Sequence, residues 1–381
     1  MIVTHVCLVS GQALPNLIPL LDPAFAVEQA VLVVSNTQMK AGASALERVL
    51  TTHGRTVQIE DLGNDCDFMV MRQRFRELSS RYSRALLNVT GGKKTMTLAA
   101  FEAFNQGSHA IYYIEQNNAV QWLRDQGPSK LNDCLGLNDI AEAHGFSISD
   151  SRQELPAPYR RLAEFLFEDY QTNHPHKVAE LVHLLQFQGR GIKERKVGWC
   201  NEREPKLAWQ RNGLKRLMER CLSCHLGRKD LHGAWWVDAR MGAFLRGAWF
   251  EIFLRQRVES LSHRYPIRDL RQGMVFSVGG IEKDIGPENE FDVVFVNRNQ
   301  LFLIECKAHR NRGIDINPFI YKLDSIKSRF GGLTVHAALV LLVGEITAGL
   351  QEKADQRRIR ILTASNISQL EADLETWILE K

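Results

Sequence analysis

Near the carboxyl end of the chain, Asn289-Glu290-Phe291-Asp292 opens one apolar run, and Leu301-Phe302-Leu303-Ile304-Glu305-Cys306-Lys307 closes another. Between them stands Asn297-Arg298-Asn299, a turn signal, so the two runs read as the arms of an antiparallel hairpin. Side chains alternate along a strand, which sends Glu305 and Lys307 to one face and Cys306 to the other. Folding the hairpin at Arg298 brings Asp292 opposite that pair. Carboxylates this close resist joint ionisation unless a cation lies between them. A hard divalent ion with oxygen ligands, Mg²⁺ or Mn²⁺, meets that need and lowers the pKa of bound water. The lysine can hold a water or stabilise charge developing on a phosphate. Isolated E-x-K triplets usually lie on solvated surfaces. This one ends a strongly apolar strand, where an exposed ion pair explains it poorly.

A second group lies at Asn88-Val89-Thr90-Gly91-Gly92-Lys93-Lys94-Thr95-Met96, where a strand turns into a helix. Glycines admit a tight turn and close ligand approach, and the amino end of a helix offers unpaired N–H groups to an anion. Lys93 or Lys94 adds positive charge. It is not a P-loop, which would need glycine where Leu87 stands and Ser or Thr where Lys94 stands. A Rossmann G-x-G-x-x-G is also absent after the first strand, where Val9-Ser10-Gly11-Gln12 stands. The plain alternative is an ordinary helix cap.

The elements that must position these groups follow from periodicity. Residues 3–9, 30–34, 56–62, 85–89 and 110–114 read as strands, and residues 38–52 and 95–105 have helical spacing. Repeated strand-helix units predict a parallel sheet with helices on both faces and ligands at the carboxyl ends of its strands. Gly127-Pro128 and Leu155-Pro156-Ala157-Pro158 bracket a loosely patterned stretch expected to be a linker. Amphipathic segments follow at residues 159–170, 177–188 and 206–226, either a winged-helix or helix-turn-helix module or a helical spacer. Residues 241–261 read as a long helix. Then come strands at 274–278, 291–297 and 300–306, a helix at 318–330, strands at 336–343 and 359–363, and a terminal helix. Three units are expected, at residues 1–150, 151–238 and 239–381.

Composition bounds the rest. The chain has 381 residues, 44% hydrophobic and 24% charged, enough to bury sizeable cores. No apolar run approaches the roughly 18 to 20 residues that span a bilayer, and the start lacks a signal-peptide pattern. Seven scattered cysteines fit reduced thiols. A cytoplasmic protein without membrane contact is expected. Residues 190–229 hold 12 Lys or Arg against 4 Asp or Glu, with Trp199, Trp209, Trp235 and Trp236 on or near them. Such a surface could track nucleic acid, or be a solvated helix face over core tryptophans. Cys221-Leu222-Ser223-Cys224-His225 spells a haem-attachment pattern, but on a helix and without an export signal it is set aside.

Asp292, then Glu305-x-Lys307, within the order helix, three strands, helix, strand, resembles the PD-(D/E)xK restriction-endonuclease superfamily over residues 242–361. Many members carry a further glutamate on the first helix, where Gly247-Ala248-Trp249-Phe250-Glu251 supplies Glu251. Phe291 replaces the proline of the motif's name, which removes no metal ligand. The resemblance implies that Glu251, Asp292 and Glu305 bind Mg²⁺ or Mn²⁺ and that Lys307 assists attack. Lys322 and Lys327 on the next helix are weaker candidates for phosphate contact.

Thr90 through Met96 resembles the T-G-G-x-K/T-x-M motif of the CARF domain, the cyclic-oligoadenylate sensor of type III CRISPR immunity. The chain is thus similar to CARF-nuclease effectors. That resemblance implies an α/β chain: a Rossmann-like parallel sheet (CARF), a helical or winged-helix-like middle, and a restriction-endonuclease-like α/β domain. It implies a ligand site built from Ser10, Gly11 and Gln12; from Asn36, Thr37 and Gln38; and from Thr90, Gly91, Gly92, Lys93, Lys94 and Thr95. It also implies a homodimer that, once activated by cyclic tetra-adenylate, nicks supercoiled DNA and cuts single-stranded DNA or RNA. The rival expectation is a ligand-responsive nucleic-acid-binding regulator with an inert nuclease domain, which the intact Asp292, Glu305 and Lys307 disfavour.

Overall fold

The computed structural model describes residues 3–64, 67–82, 84–115, 117–124, 127–150, 156–172, 197–200, 208–232, 235–238, 240–278, 289–308, 315–331, 334–342, 346–364 and 367–380. The expected helix at 177–188 and much of the basic stretch lie outside them.

The first sheet contains β1 (Thr4–Leu8), β2 (Gln29–Val34), β3 (Thr56–Asp61), β4 (Ala85–Asn88), β5 (Ala110–Ile114), β6 (Ala119–Trp122) and β7 (Ser129–Lys130). Its order is β3-β2-β1-β4-β5-β6-β7, with the first five strands parallel and the last two antiparallel. The inner parallel strands β1 and β2 are buried on both faces because helices cover both, whereas β3 is a half-exposed edge. Val6, Leu8, Val31 and Val33 pack on one side with Met71, Phe75 and Met96; Cys7, Leu32 and Val34 pack on the other with Leu14, Leu17 and Leu46. Chain direction reverses its sheet order between β1 and β4, so a crevice opens at their carboxyl ends. The helices Leu14–Leu21 and Phe68–Arg81 were not expected from sequence. Pro15 in the first turn and Pro19 inside obscure the first, and the second is too polar to show a clear apolar stripe.

The described part of the stretch expected to be a linker, residues 127–150, holds secondary structure. It contains the helix Leu137–Ala143 and β8 (Phe146–Asp150). β8 does not join the first sheet. It pairs antiparallel with β12 (Ile267–Val278), at the edge of the last sheet. That sheet continues through β13 (Asn289–Asn297), β14 (Gln300–Lys307), β15 (Val335–Leu341) and β16 (Ile359–Thr363), in the order β16-β15-β14-β13-β12-β8. β13 and β14 form the expected hairpin around Arg298 and Asn299, both at positive φ (52° and 60°) as a two-residue primed turn requires.

The middle of the chain contributes the helices Ala157–Thr172 and Ala208–Ser223, and a small antiparallel sheet of β9 (Val197–Cys200), β10 (Gly227–Lys229) and β11 (Trp235–Asp238), ordered β10-β11-β9. Trp235 is buried beneath Lys229, and Trp236 donates its indole N–H to Asp230 at 2.9 Å, so both serve local packing. A π-helical turn, Phe244–Ala248, leads into the helix Trp249–Leu261. That helix packs on one face of the last sheet with the terminal helix Ile367–Leu379. The opposite face of the sheet shares a single apolar core with the first domain: Leu303, Ile320, Phe276 and Phe330 are continuous with Phe146, Ala143, Leu46 and Leu32.

Candidate active site and sensor site

The hairpin register pairs Val293 with Ile304, and one further step sets Asp292 beside Glu305. Asp292 Oδ2 accepts the backbone N–H of Cys306 at 2.7 Å, which locks the two strand ends together. Asp292, Glu305 and Glu251 are only 6%, 3% and 8% exposed. Glu251 comes from the helix Trp249–Leu261, and Gln272 on β12 donates to its Oε2 at 3.4 Å. Lys307 bonds Glu305 Oε1 and stands 3.7 Å from Asp292 Oδ2. Cys306 is buried on the other face, as alternation requires.

Electrostatics bind the group together. Burial, then the nearby Glu305 and Glu251 carboxylates, push Asp292 up to about 7 against the pull of Lys307. Burial opposes the charge on Lys307, but Asp292 and Glu305 outweigh it and hold the ammonium above its ordinary pKa. Lys307 therefore stays protonated at neutral pH. In that form it can orient a water and stabilise negative charge.

Lys322, a weaker candidate for phosphate contact, has its Nζ 2.7 Å from Glu305 Oε2 and bonds the carbonyl of Glu290, above the ring of Phe291. Both Glu305 oxygens thus face ammonium groups. Lys327 is elsewhere: buried, it donates to the carbonyls of Arg357 and Arg358 at 3.2 and 2.8 Å, closing the end of the helix Ala348–Gln356. Gln272 and the Lys322–Glu305 pair escaped the sequence reading because their contacts are set by tertiary packing.

Among the described residues, no three His, Cys, Asp or Glu side chains stand as a ready metal-ligand set. The charge balance around Glu305 nevertheless fits a cation. Three buried carboxylates face two ammoniums, and like-charge repulsion at Asp292 is what a divalent ion relieves. Cys221 is buried in the core of the middle segment. A cleft of about 900 Å³ at the far end of the last sheet is lined by residues such as Tyr113, Arg298, His336 and Trp377, away from the carboxylates.

In the first domain the expected loops gather at the carboxyl ends of β1, β2 and β4. Gly91 is glycine for a steric reason: a Cβ there would collide with the Leu8 carbonyl oxygen. Gly92 has φ +82°. Thr90 is a brace: its hydroxyl donates to Asn88 Oδ1 at 2.6 Å and accepts the Ile114 N–H at 2.8 Å. Buried Asn88 donates in turn to the Pro15 carbonyl and Asn16 Oδ1 at 2.8 and 3.1 Å. Asn16 and Asn88 were missed; their signal is an asparagine within an apolar run. Asn36 caps its own helix, accepting the Met39 N–H at 2.8 Å. No side chain caps the helix Lys94–Asn105, which starts beside exposed Lys93, Lys94 and Thr95. That is the helix end at which an anion is favoured. Ser10 Oγ accepts the Gln12 N–H at 3.3 Å, and Ser10, Gly11 and Gln38 border a cavity of about 240 Å³. Thr37 and Gln38 are exposed.

Comparison with known proteins supplies the names. Residues 4–137 match the family described as the Card1 CARF domain, and residues 238–381 match the Card1-like endonuclease domain. No curated protein sequence matches the chain. Among solved structures it is similar to protein VC1899 from Vibrio cholerae, at 18% identity and a TM-score of 0.86, over 99% of this chain and 98% of that one. It is similar to Can2 from Sulfobacillus thermosulfidooxidans in complex with cyclic tetra-adenylate, at 22% identity and 0.76, over 99% and 100%. A type III CRISPR defence DNA nuclease activated by cyclic oligoadenylate aligns at 14% identity and 0.55, over 91% of this chain and 46% of that one. At these identities the structural likeness speaks for fold. The two family matches cover well over half of the sequence, and the chain belongs to the Card1-like proteins, in which a CARF domain is joined to an endonuclease domain.

Proposed function

We propose that the chain is a divalent-metal-dependent nuclease of type III CRISPR antiviral defence, switched on by cyclic tetra-adenylate and working as a homodimer in the cytoplasm. Its substrates are supercoiled DNA, which it nicks, single-stranded DNA and single-stranded RNA. The observation that carries this reading is the buried Glu251, Asp292 and Glu305 group with Lys307 at the end of β14, on one chain with an uncapped helix start beside a glycine turn. Among the described residues no helix is long and apolar enough to cross a membrane.

Asp292, Glu305 and Glu251 would hold Mg²⁺ or Mn²⁺. When bound, the ion lowers the pKa of a water and shields the phosphate charge. Lys307, kept charged by its neighbours, orients the attacking water and stabilises the extra negative charge on the phosphoryl oxygens. Attack at phosphorus breaks the bridging P–O bond by hydrolysis, without a covalent enzyme intermediate. At the other end, a two-fold symmetric ring anion would meet two copies of the Thr90–Thr95 turn, one from each protomer. It activates because it binds the closed arrangement better than the open one.

The test is cleavage of supercoiled plasmid, single-stranded DNA and single-stranded RNA with Mn²⁺, each with and without cyclic tetra-adenylate. Wild type should cut only when both are present. Glu305→Ala should lose more than about 100-fold in rate, and the Lys94→Ala, Thr95→Ala double variant should lose activation. Cleavage that survives Glu305→Ala, or that ignores the activator, would overturn the proposal.

A further inference from the structure

The helix Asn317–Arg329 belongs to the nuclease domain, yet it reaches both sites. At its near end, Lys322 holds Glu305 Oε2 at 2.7 Å, and the Phe319 ring lies under the Lys307 ammonium, 4.5 Å from its centre. At its far end, Arg329 borders the 240 Å³ cavity together with Ser10, Gly11 and Gln38. The next residues continue the contact. Phe330 is fully buried, stacks on Phe146 at 4.7 Å and meets the ring of His144 at 5.0 Å. Gly331 approaches the loop after β1 so closely that an added Cβ would lie 3.3 Å from Gln12 Cγ. One rigid element thus has a catalytic carboxylate at one end and the sensor's first loop at the other.

We propose that this helix is the mechanical link between the two sites, and that Lys322 is its positioning residue, holding Glu305 until the sensor loop moves. The proposal rests on the functional reading above and adds the route by which activation travels. The physics is electrostatic and geometric. With Lys307 and Lys322 both on Glu305, a second ammonium sits where a divalent cation would otherwise gain that carboxylate's full charge. The helix is packed against the core along Ile320, Leu323 and Ile326, so it moves as a body rather than bending. A ligand that displaces Gln12 or Arg329 therefore also displaces Lys322.

Coupling between two sites is reciprocal: whatever the activator does to Mn²⁺ affinity, Mn²⁺ must do to activator affinity. The experiment measures the Kd of cyclic tetra-adenylate on the full chain, with and without saturating Mn²⁺ and without nucleic acid. Wild type should show a change of about 5- to 150-fold. Lys322→Gln should bind Mn²⁺ more tightly, read by the spin signal of the free ion, and the coupling factor should collapse to within about twofold. Arg329→Ala, an exposed change at the other end of the helix, should also shrink the factor. A Lys322→Gln protein that binds both ligands with the wild-type factor overturns the proposed link and leaves the nuclease reading intact. A wild type that does not bind cyclic tetra-adenylate overturns the sensor reading, and this link with it.

Discussion

At Asp292, burial and two neighbouring carboxylates work against the charged form. With its pKa pushed up to about 7, against roughly 3.9 for an unfolded aspartate, the folded protein keeps a proton that the unfolded chain has already released. The native state thus binds more protons between about pH 4 and 7, and its stability falls as pH rises through that window. After burial, the Glu305 and Glu251 carboxylates are what push Asp292 up. Asp292→Asn keeps an oxygen for the Cys306 N–H and removes the charge. Without divalent ions, the variant should melt above wild type at pH 8, by on the order of a few kcal/mol, and should match it near pH 4. Melting curves from pH 4 to 8 decide the matter. A wild type that gains stability over the variant across that range would contradict this account. Added Mn²⁺ should raise the wild-type melting temperature and leave the variant nearly unmoved, by mass action on the folded state.

Among the elements, the β13–β14 hairpin positions the most chemistry, and its turn is held from outside. Asn299 is 1% exposed. Its Oδ1 accepts the N–H groups of Cys134 and Leu135 at 2.8 and 3.0 Å, and its Nδ2 donates to the Asn132 carbonyl at 2.8 Å. Asn299→Ala would strand the buried Leu135 N–H and the half-buried Cys134 N–H and place alanine at φ 60°. The expected loss is about 2 to 5 kcal/mol, measured by urea unfolding. Asn299→Gly should cost less because it relieves the left-handed backbone but does not restore the hydrogen bonds; equal losses would show that the backbone at position 299 costs alanine nothing and that the whole loss lies in the bonds to residues 132–135. The hairpin itself was legible, because Asn297-Arg298-Asn299 between apolar runs is local information, and so was the sharing of one face by Asp292, Glu305 and Lys307. The helix that carries Lys322 was legible too. Its grip on Glu305 was not, since it depends on how the helix packs over β14. β8 was unreadable for a related reason: Phe146-Ser147-Ile148-Ser149-Asp150 is short and half polar, and it becomes a strand only because β12, more than a hundred residues later, supplies its partner.

Over the whole molecule, the division into a sensor and a nuclease visible in the sequence does not extend to the core. Chains with two activities are expected to fold as separate units joined by modest interfaces. Here Phe330 packs on Phe146 and on Phe276, and the same apolar cluster runs from Cys7 and Leu32 to Leu303 and Leu339. β8, which follows the first domain in sequence, completes the sheet of the last. Breaking the contact would expose a long apolar face on both sides and leave β12 an open edge. Native-state hydrogen exchange should therefore give the same opening free energy for β2 and β14, each an interior strand of its sheet, and that value should equal the global unfolding free energy from denaturant. The cooperativity carries a functional consequence. In the proposed link a movement at the sensor would pass into the helix Asn317–Arg329 through packed contacts, since Gly331 abuts Gln12 and one apolar cluster joins the two domains. If β2 instead opened several kcal/mol below β14, the two halves would be independent bodies, and activation would have to travel by rearrangement of protomers rather than through the core.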